Sequence, residues 1–262
     1  MIRIIKYLYY LFYRTKIFFP LNTYSTFGED LILEKFLKKR NGFYVDIGCY
    51  HPYEGNNTYL LYKKGWTGIN IDLNPYSIEL FNFSRPNDIN LNFAVSLSSK
   101  KIKFYYRKEI NMLNTIIESQ AKKNFPNGYN TAYIRSKKLD DIIKETRFFK
   151  KEIDFLNIDV EGVDLEVIKS LNFKIYKPKY ICIEIHDLKK NNIKNNNIYK
   201  FLINKNYSLL WNYRWSFIFK RKLLNHRQTT SSGSIDFTSI VRSSIPFTRS
   251  KTLYCSTLFI KT

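Results

Sequence analysis

The chain has 262 residues, 44% of them hydrophobic and 17% aromatic, which excludes a disordered polymer and allows one ordinary domain with extensions. Its formal charge of +21 raises nucleic acid or an anionic membrane as partners, yet Lys, Asn, Ile, Tyr and Phe are abundant throughout, so the charge reads as a global bias rather than one dedicated patch. Cys49, Cys182 and Cys255 stand far apart without a Cys-x-x-Cys, which excludes a metal knuckle and an obvious disulfide frame and suits a reducing, cytoplasmic setting.

Residues 1–22 form a basic, aromatic and amphipathic segment. Its uninterrupted apolar run, Tyr7 to Tyr13, falls far short of the ~20 residues that span a bilayer, and no small-residue cleavage site follows. Arg3, Lys6, Arg14 and Lys16 flank an aromatic centre. That pattern fits a peripheral membrane or partner contact, and fits equally a helix that packs back on the domain.

Residues 23–224 carry the expected domain. Glu29 and Asp30 introduce a helix through Leu37, where acids complement the first-turn dipole. From Gly42 to Tyr76, two short apolar runs each end in an acid and a turn, Asp46-Ile-Gly48 and Asp72-Leu-Asn-Pro75. A helix capped by Asn56-Asn57-Thr58 separates them, so the stretch reads as a βαβ unit with a parallel pair of strands. Next come a helix over Ile78–Phe83, a turn at Arg85-Pro86-Asn87-Asp88 and a third strand from Ile89 to Val95, ending near Ala94. Ile102–Tyr106 reads as an extra strand. Residues 107–133 show little periodicity and fall where a lid or acceptor loop would sit. Residues 136–143, Ser136-Lys-Lys-Leu139-Asp140-Asp141-Ile-Ile, read as a short helix or strand edge. A strand from Ile153 to Ile158 then ends in Asp159-Val-Glu161-Gly162 and a helix through Ile168. A buried strand, Lys179–Ile185, leads to His186. Helix Ile198–Ile203 and strands Tyr207–Trp211 and Ser216–Lys220 follow. Residues 225–262 turn Ser/Thr-rich and lose periodicity; they are expected to lie outside the core as a disordered tail.

In an open α/β sheet, ligands bind at the carboxyl ends of parallel strands. Asp46, Gly48 and Asp72 fall there. Gly48 would let the backbone approach a ligand, and Asp72 is placed to accept both hydroxyls of a ribose. Bulky residues stand where a dinucleotide fold needs its second and third glycines, so no close approach to a pyrophosphate is built in. A cofactor with a ribose and no phosphate fits better, and S-adenosylmethionine is the common one.

Taken in order, Phe27-Gly-Glu29-Asp30, Tyr44-Val-Asp46-Ile-Gly48, Asn57-Thr58, Gly65-Trp-Thr-Gly-Ile69, Asp72-Leu-Asn-Pro75, Arg85-Pro86-Asn-Asp-Ile-Asn90, Ala94-Val95 and Ile153-Asp-Phe-Leu-Asn-Ile-Asp159-Val-Glu161-Gly162 resemble the FkbM family of methyltransferases across about residues 23–220. Two positions depart from the family pattern: Thr26 where it usually has Gln, and Asp72 where it commonly has Glu. The resemblance implies a class I methyltransferase, Rossmann-like α/β fold: a seven-stranded, mostly parallel sheet with an antiparallel last strand and helices on both faces. It implies S-adenosylmethionine as cofactor and a hydroxyl acceptor on a small molecule or glycan, often a sugar of a surface polysaccharide. It further implies that Asp46, Gly48 and Cys49 border the methionine part, that Asp72 holds the ribose with Leu73 against the adenine, and that Ala94 lines the adenine pocket. Asp159 would lie near the sulfonium or the acceptor, and Glu29 near the amino-acid end.

Methyl transfer to an alcohol also needs a base. His186 is the first candidate, because histidine is the side chain suited to proton transfer near neutrality. Asp159 and Glu161 are its rivals, although each also reads as a helix cap or loop brace. Asp159, Glu161, Glu184 and His186 form an oxygen-rich set of the kind that holds magnesium, but no spacing demands it and no metal is assigned. Two other classes stay open: a nucleic-acid methyltransferase, which the charge favours but Asp159-Val-Glu-Gly162 does not, and a non-catalytic membrane-associated module on the same fold.

Overall fold

The computed structural model describes residues 2–107, 109–186 and 193–223; the tail expected at 225–262 lies outside them. Seven strands form the main sheet: β1 (Phe43–Ile47), β2 (Thr67–Asp72), β3 (Ile89–Asn92), β7 (Phe155–Ile158), β8 (Tyr180–Glu184), β9 (Tyr207–Tyr213) and β10 (Ser216–Arg221). Their order is β3-β2-β1-β7-β8-β10-β9. The pairs are parallel from β3 through β8, and β10 alone runs against its neighbours. Strand order therefore reverses beside β1, between β2 and β7, which makes this edge the switch point where ligands bind. This is the class I methyltransferase arrangement.

Strict alternation along the strands builds two different faces. Phe43, Val45 and Ile47 of β1 join Leu156, Ile158, Ile181, Ile183, Phe217 and Phe219 in the larger core. That face is covered by α6 (Leu139–Lys144), α7 (Asp164–Lys169) and α8 (Asn197–Asn204), through Leu139, Ile142, Ile143, Val167, Ile168 and Leu202. Each such fully buried side chain contributes roughly 1.5–3 kcal/mol of transfer free energy. The opposite face packs Tyr44, Phe155, Cys182 and Ile218 against α2 (Glu29–Phe36) and α3 (Tyr59–Lys63) through Ile32, Leu33 and Leu61. On this second face each strand turns polar near the ligand edge. Asp46 sits level with both Asn70 and Asn157, and Glu184 with Ser216.

The third strand is shorter than its pattern suggests. β2 ends at Asp72, opposite Asn92, so beyond that point β3 has no neighbour to pair with. Ala94–Val95 instead forms β4, parallel to Ser136 and Lys137 of β6 (Asn130–Lys137). With β5 (Lys101–Tyr106) these make a second sheet of order β4-β6-β5. The stretch 107–133, expected as a loop, thus contains α5 (Glu118–Asn124) and the start of β6. β6 leaves little period-two signal in the sequence, because only one of its faces is covered and its inner residues include the small Ala132 and Ser136.

At the N-terminus, α1 (Ile2–Leu8) continues as a π-helical turn over Tyr9–Tyr13. Tyr7, Tyr10, Leu11 and Phe12 pack on Leu80 of α4 (Pro75–Ser84) and on Ile110.

Candidate active site

The turn after β1 is held by the chain, not left open. Gly48 has φ +76°, and an added Cβ would lie 1.7 Å from the Asp159 carbonyl oxygen. The glycine thus makes room for the neighbouring loop after β7, rather than directly for a ligand. The Gly48 and Cys49 amides both donate to the Ile71 carbonyl, at 2.9 and 3.2 Å. Cys49 itself turns into the protein beside Ile78 and Phe81.

Asp46 is 1% exposed and fully engaged. Its Oδ1 accepts from Asn157 Nδ2 at 2.9 Å and its Oδ2 from Thr58 Oγ1 at 2.8 Å. Behind Thr58 lies Arg85, completely buried, donating to Thr58 Oγ1 at 2.9 Å, to Asn56 Oδ1 at 2.8 Å and to the Pro52 carbonyl. Its guanidinium stacks over Tyr59, Tyr62 and Phe81. Thr58 therefore does not cap α3 with its hydroxyl; that group is committed to Asp46. Burial raises the Asp46 pKa, while Asn157, Thr58 and the Arg85 charge oppose the rise. The separate sequence blocks around Asp46, Asn56–Thr58, Arg85 and Asn157 are one interlocked brace.

Asp72 ends β2 with its oxygens on two backbone amides, Tyr50 at 2.8 Å and Asn74 at 2.7 Å. Each oxygen retains a lone pair for a further donor. Burial pushes its pKa up to about 6, with Asp46 adding a smaller rise. Leu73 packs beside Ala94, Phe104 and Ile134, so the second sheet provides an apolar wall next to this carboxylate. A buried acid with lone pairs to spare, beside an apolar wall, fits the ribose and base of S-adenosylmethionine in donor and surface chemistry.

The other acids converge where β7 and β8 end. A small cavity of about 20 Å³, room for one water, is lined by Glu29, Asn57, Asn157, Asp159, Cys182, Glu184 and Ser216 among others. Glu29, at the start of α2, is 3% exposed and accepts from the Phe27 amide at 2.8 Å. Asn57 donates to Asn157 Oδ1 at 2.9 Å, which ties the cavity wall to the brace. One oxygen of each of Asp159, Glu161 and Glu184 lies within 4.8 Å of the others, a spacing a hard cation can bridge. His186 Nε2 is 2.8 Å from Glu184 Oε2, and its side chain is 45% exposed. Burial, then repulsion within the cluster, raises Asp159 well above the usual carboxylate range and Glu184 to about 8. Burial raises Glu161 as well, and the backbone holds it in the left-handed region, at φ +54°.

The sequence-predicted residues thus separate into three groups: Asp46, Gly48 and Cys49 in the brace and turn; Asp72, Leu73 and Ala94 around the second-strand acid; Glu29, Asp159, Glu161 and His186 around the acidic cavity. Arg85, Asn157 and Ser216 were missed as site residues, and Glu184 was weighed only as a metal ligand. The signal that marks Asn157, Glu184 and Ser216 is parity: each is a polar residue on the otherwise apolar second face of its strand. His51, followed by Pro52, serves the turn after β1. Its Nδ1 accepts from the Tyr53 and Glu54 amides at 3.1 and 2.9 Å, so the neutral ring donates from Nε2 to the Tyr10 carbonyl, 3.1 Å away. Burial drives its pKa down to about 3.

The fold is similar to a TehB-like SAM-dependent methyltransferase from Corynebacterium glutamicum, at 11% identity over 76% of this chain and 89% of that one, TM-score 0.38. It is similar also to a Sulfolobus solfataricus protein described as a type 11 methyltransferase, at 14% identity over 78% of this chain and 97% of that one, TM-score 0.36. The fold class follows from the strand order β3-β2-β1-β7-β8-β10-β9. Among curated proteins no sequence match is found. Residues 46–209 match the family model of the methyltransferase FkbM domain, a span that runs from the brace through the Asp72 loop to the acidic pair. The chain belongs to the FkbM methyltransferase family, and its chemistry is methyl transfer with S-adenosylmethionine as the donor.

Proposed function

We propose that the acceptor is a hydroxyl of a small molecule or glycan, with a sugar of a surface polysaccharide as the favoured class. The observation that carries this reading is the contact of Glu184, a half-buried carboxylate next to Asp159 with its pKa raised to about 8, with a half-exposed histidine 2.8 Å away. A base tuned toward neutral pH is what an alcohol acceptor requires, since its proton must leave as the oxygen attacks.

S-adenosylmethionine supplies an electrophilic methyl group on a sulfonium. The chain's residues do the rest. Asp72 accepts the ribose hydroxyls, while Leu73 and Ala94 flank the base. Glu29 and Asp159 face the cationic amino-acid end. The brace of Arg85, Thr58, Asp46 and Asn157 fixes the turn after β1 against the loop after β7, and this holds donor and acceptor sides in register. Fixed placement of that kind supplies much of the rate in a displacement. In the fraction of molecules where Glu184 is ionised, a fraction that grows as pH approaches 8, it takes the acceptor proton at a carboxylate oxygen and passes it to His186 Nε2, which is exposed enough to release it to water. His186 is thereby the outer relay and Glu184 the first base.

A second reading has its own support. Glu29, Asp159, Glu161 and Glu184 would also attract a cationic amine acceptor. The deciding experiment is incubation with methyl-labelled S-adenosylmethionine and parallel panels of neutral glycans and of amines. Label recovered as an O-methyl ether supports the hydroxyl reading. Label recovered only as an N-methyl group overturns it.

A further inference from the structure

The N-terminal segment packs on the domain with one face and leaves the other bare. Arg3 pairs with Glu79 at 3.3 Å, and Lys6 with Glu109 at 2.8 Å. Tyr10 and Leu11 seal the inner side. The outer side presents Ile2, Ile5, Tyr9, Tyr13, Phe18 and Phe19, between 46% and 84% exposed. Tyr9 and Tyr13 stack at 5.5 Å. Exposed Arg14 and Lys16 interrupt this surface between Tyr13 and Phe18.

We propose that this face docks on the surface of a bilayer containing anionic phospholipid, with the aliphatic and aromatic side chains entering the headgroup boundary and Arg14 and Lys16 meeting lipid phosphates. Aromatic and aliphatic groups on one face, with cations beside them, form the pattern that binds in the plane of an interface. Among the described residues no helix is long and apolar enough to cross a membrane, so the contact is peripheral. Charge selects this occupant over two others. A second copy laid on the same face would oppose Arg14 and Lys16 to themselves, in a chain of charge +21. The chain's own residues 224–262 bring Arg227, Arg242, Arg249, Lys251 and Lys261 against a single acid, Asp236, which repels likewise. The docking segment is also fixed to the cofactor side of the domain, because the Tyr10 carbonyl accepts from His51 in the turn after β1.

The test is flotation of the full chain with vesicles of phosphatidylcholine alone, or of two parts phosphatidylcholine and one part phosphatidylserine. The expected result is binding to the mixed vesicles that weakens at least about tenfold in Ile5→Ser/Tyr9→Ser/Phe19→Ser. It should weaken also in Arg14→Glu/Lys16→Glu and on raising salt to about 0.5 M. Affinity for S-adenosylmethionine, measured on the same variants, stays unchanged and shows that they are folded. Absence of wild-type flotation, or full flotation of the triple-serine variant, overturns the proposal. So does a wild-type dimer that fails to float and that the triple variant dissociates, since the face is then covered by a second copy.

Discussion

Two groups of carboxylates stand at the same sheet edge and have opposite surroundings. Asp46 is buried among donors: Asn157 and Thr58 saturate it, and a buried arginine stands one hydrogen bond behind. Asp159, Glu161 and Glu184 face one another, and among the described residues their one ion-pair partner is the titratable His186. A carboxylate surrounded by donors and a fixed cation serves the fold. Burial raises the pKa in both groups, but donors and Arg85 oppose the rise at Asp46 whereas mutual repulsion adds to it in the cluster, and groups of the second kind are poised to exchange protons or to receive a cation.

The largest effect expected from this contrast is structural. Arg85→Met removes the cation behind Asp46 and leaves buried polar groups unpaired. We expect a loss of about 3–5 kcal/mol in denaturant unfolding. A loss below about 1 kcal/mol would show that Asn157 and Thr58 hold Asp46 unaided, and the brace would lose its charge argument. The mirror experiment is Glu184→Gln. Turnover should fall about 10²–10³-fold with cofactor affinity nearly unchanged. Stability gives an independent readout with a definite sign. The native glutamate keeps its proton up to about pH 8, whereas an ordinary one loses it near 4.5. The native state therefore binds more protons across that window, and stability falls as pH rises through it. Glu184→Gln should flatten that decline, and an unchanged slope would place the buried proton elsewhere.

Asp72 is intermediate in its surroundings, with two amide donors and, among the described residues, no ion-pair partner. Asp72→Ala should reduce affinity for S-adenosylmethionine by at least about 50-fold in calorimetry while the protein stays folded. In the wild type, protonation near pH 6 removes the charge proposed to receive the ribose. Affinity should thus be full at pH 7.5 and decline below 6; a flat profile down to pH 5 would argue against the ribose contact. The smallest effect belongs to His186→Ala: about a tenfold loss of turnover, little change in cofactor affinity, and stability within ~0.5 kcal/mol because the side chain is half-exposed. Turnover equal to wild type would remove the histidine from proton transfer.

Local sequence carried the fold far. The βαβ unit from Gly42 to Tyr76, the strand before Asp159 and the closing pair of strands are where pattern and turn chemistry put them, because a buried strand needs only a short apolar run and a turn. β4 and β6 were not legible, since β6 is half-covered and the end of β3 is set by where β2 stops. The acids themselves could be read directly: Asp46, Asp72 and Asp159 each follow an apolar run. Their division of labour could not, because it depends on residues far away in sequence. Arg85 reads locally as a turn residue, yet its side chain ends completely buried beneath Thr58. Gly48 reads as room for a ligand, yet what approaches it is Asp159, more than a hundred residues on. The sequence by itself determined which strands form and which residue types reach the carboxyl edge, since both follow from period-two patterning. Only the tertiary structure decided which of those carboxylates is neutralised and which is left repelled, since burial and through-space charge exist only once β1, β7 and β8 lie side by side.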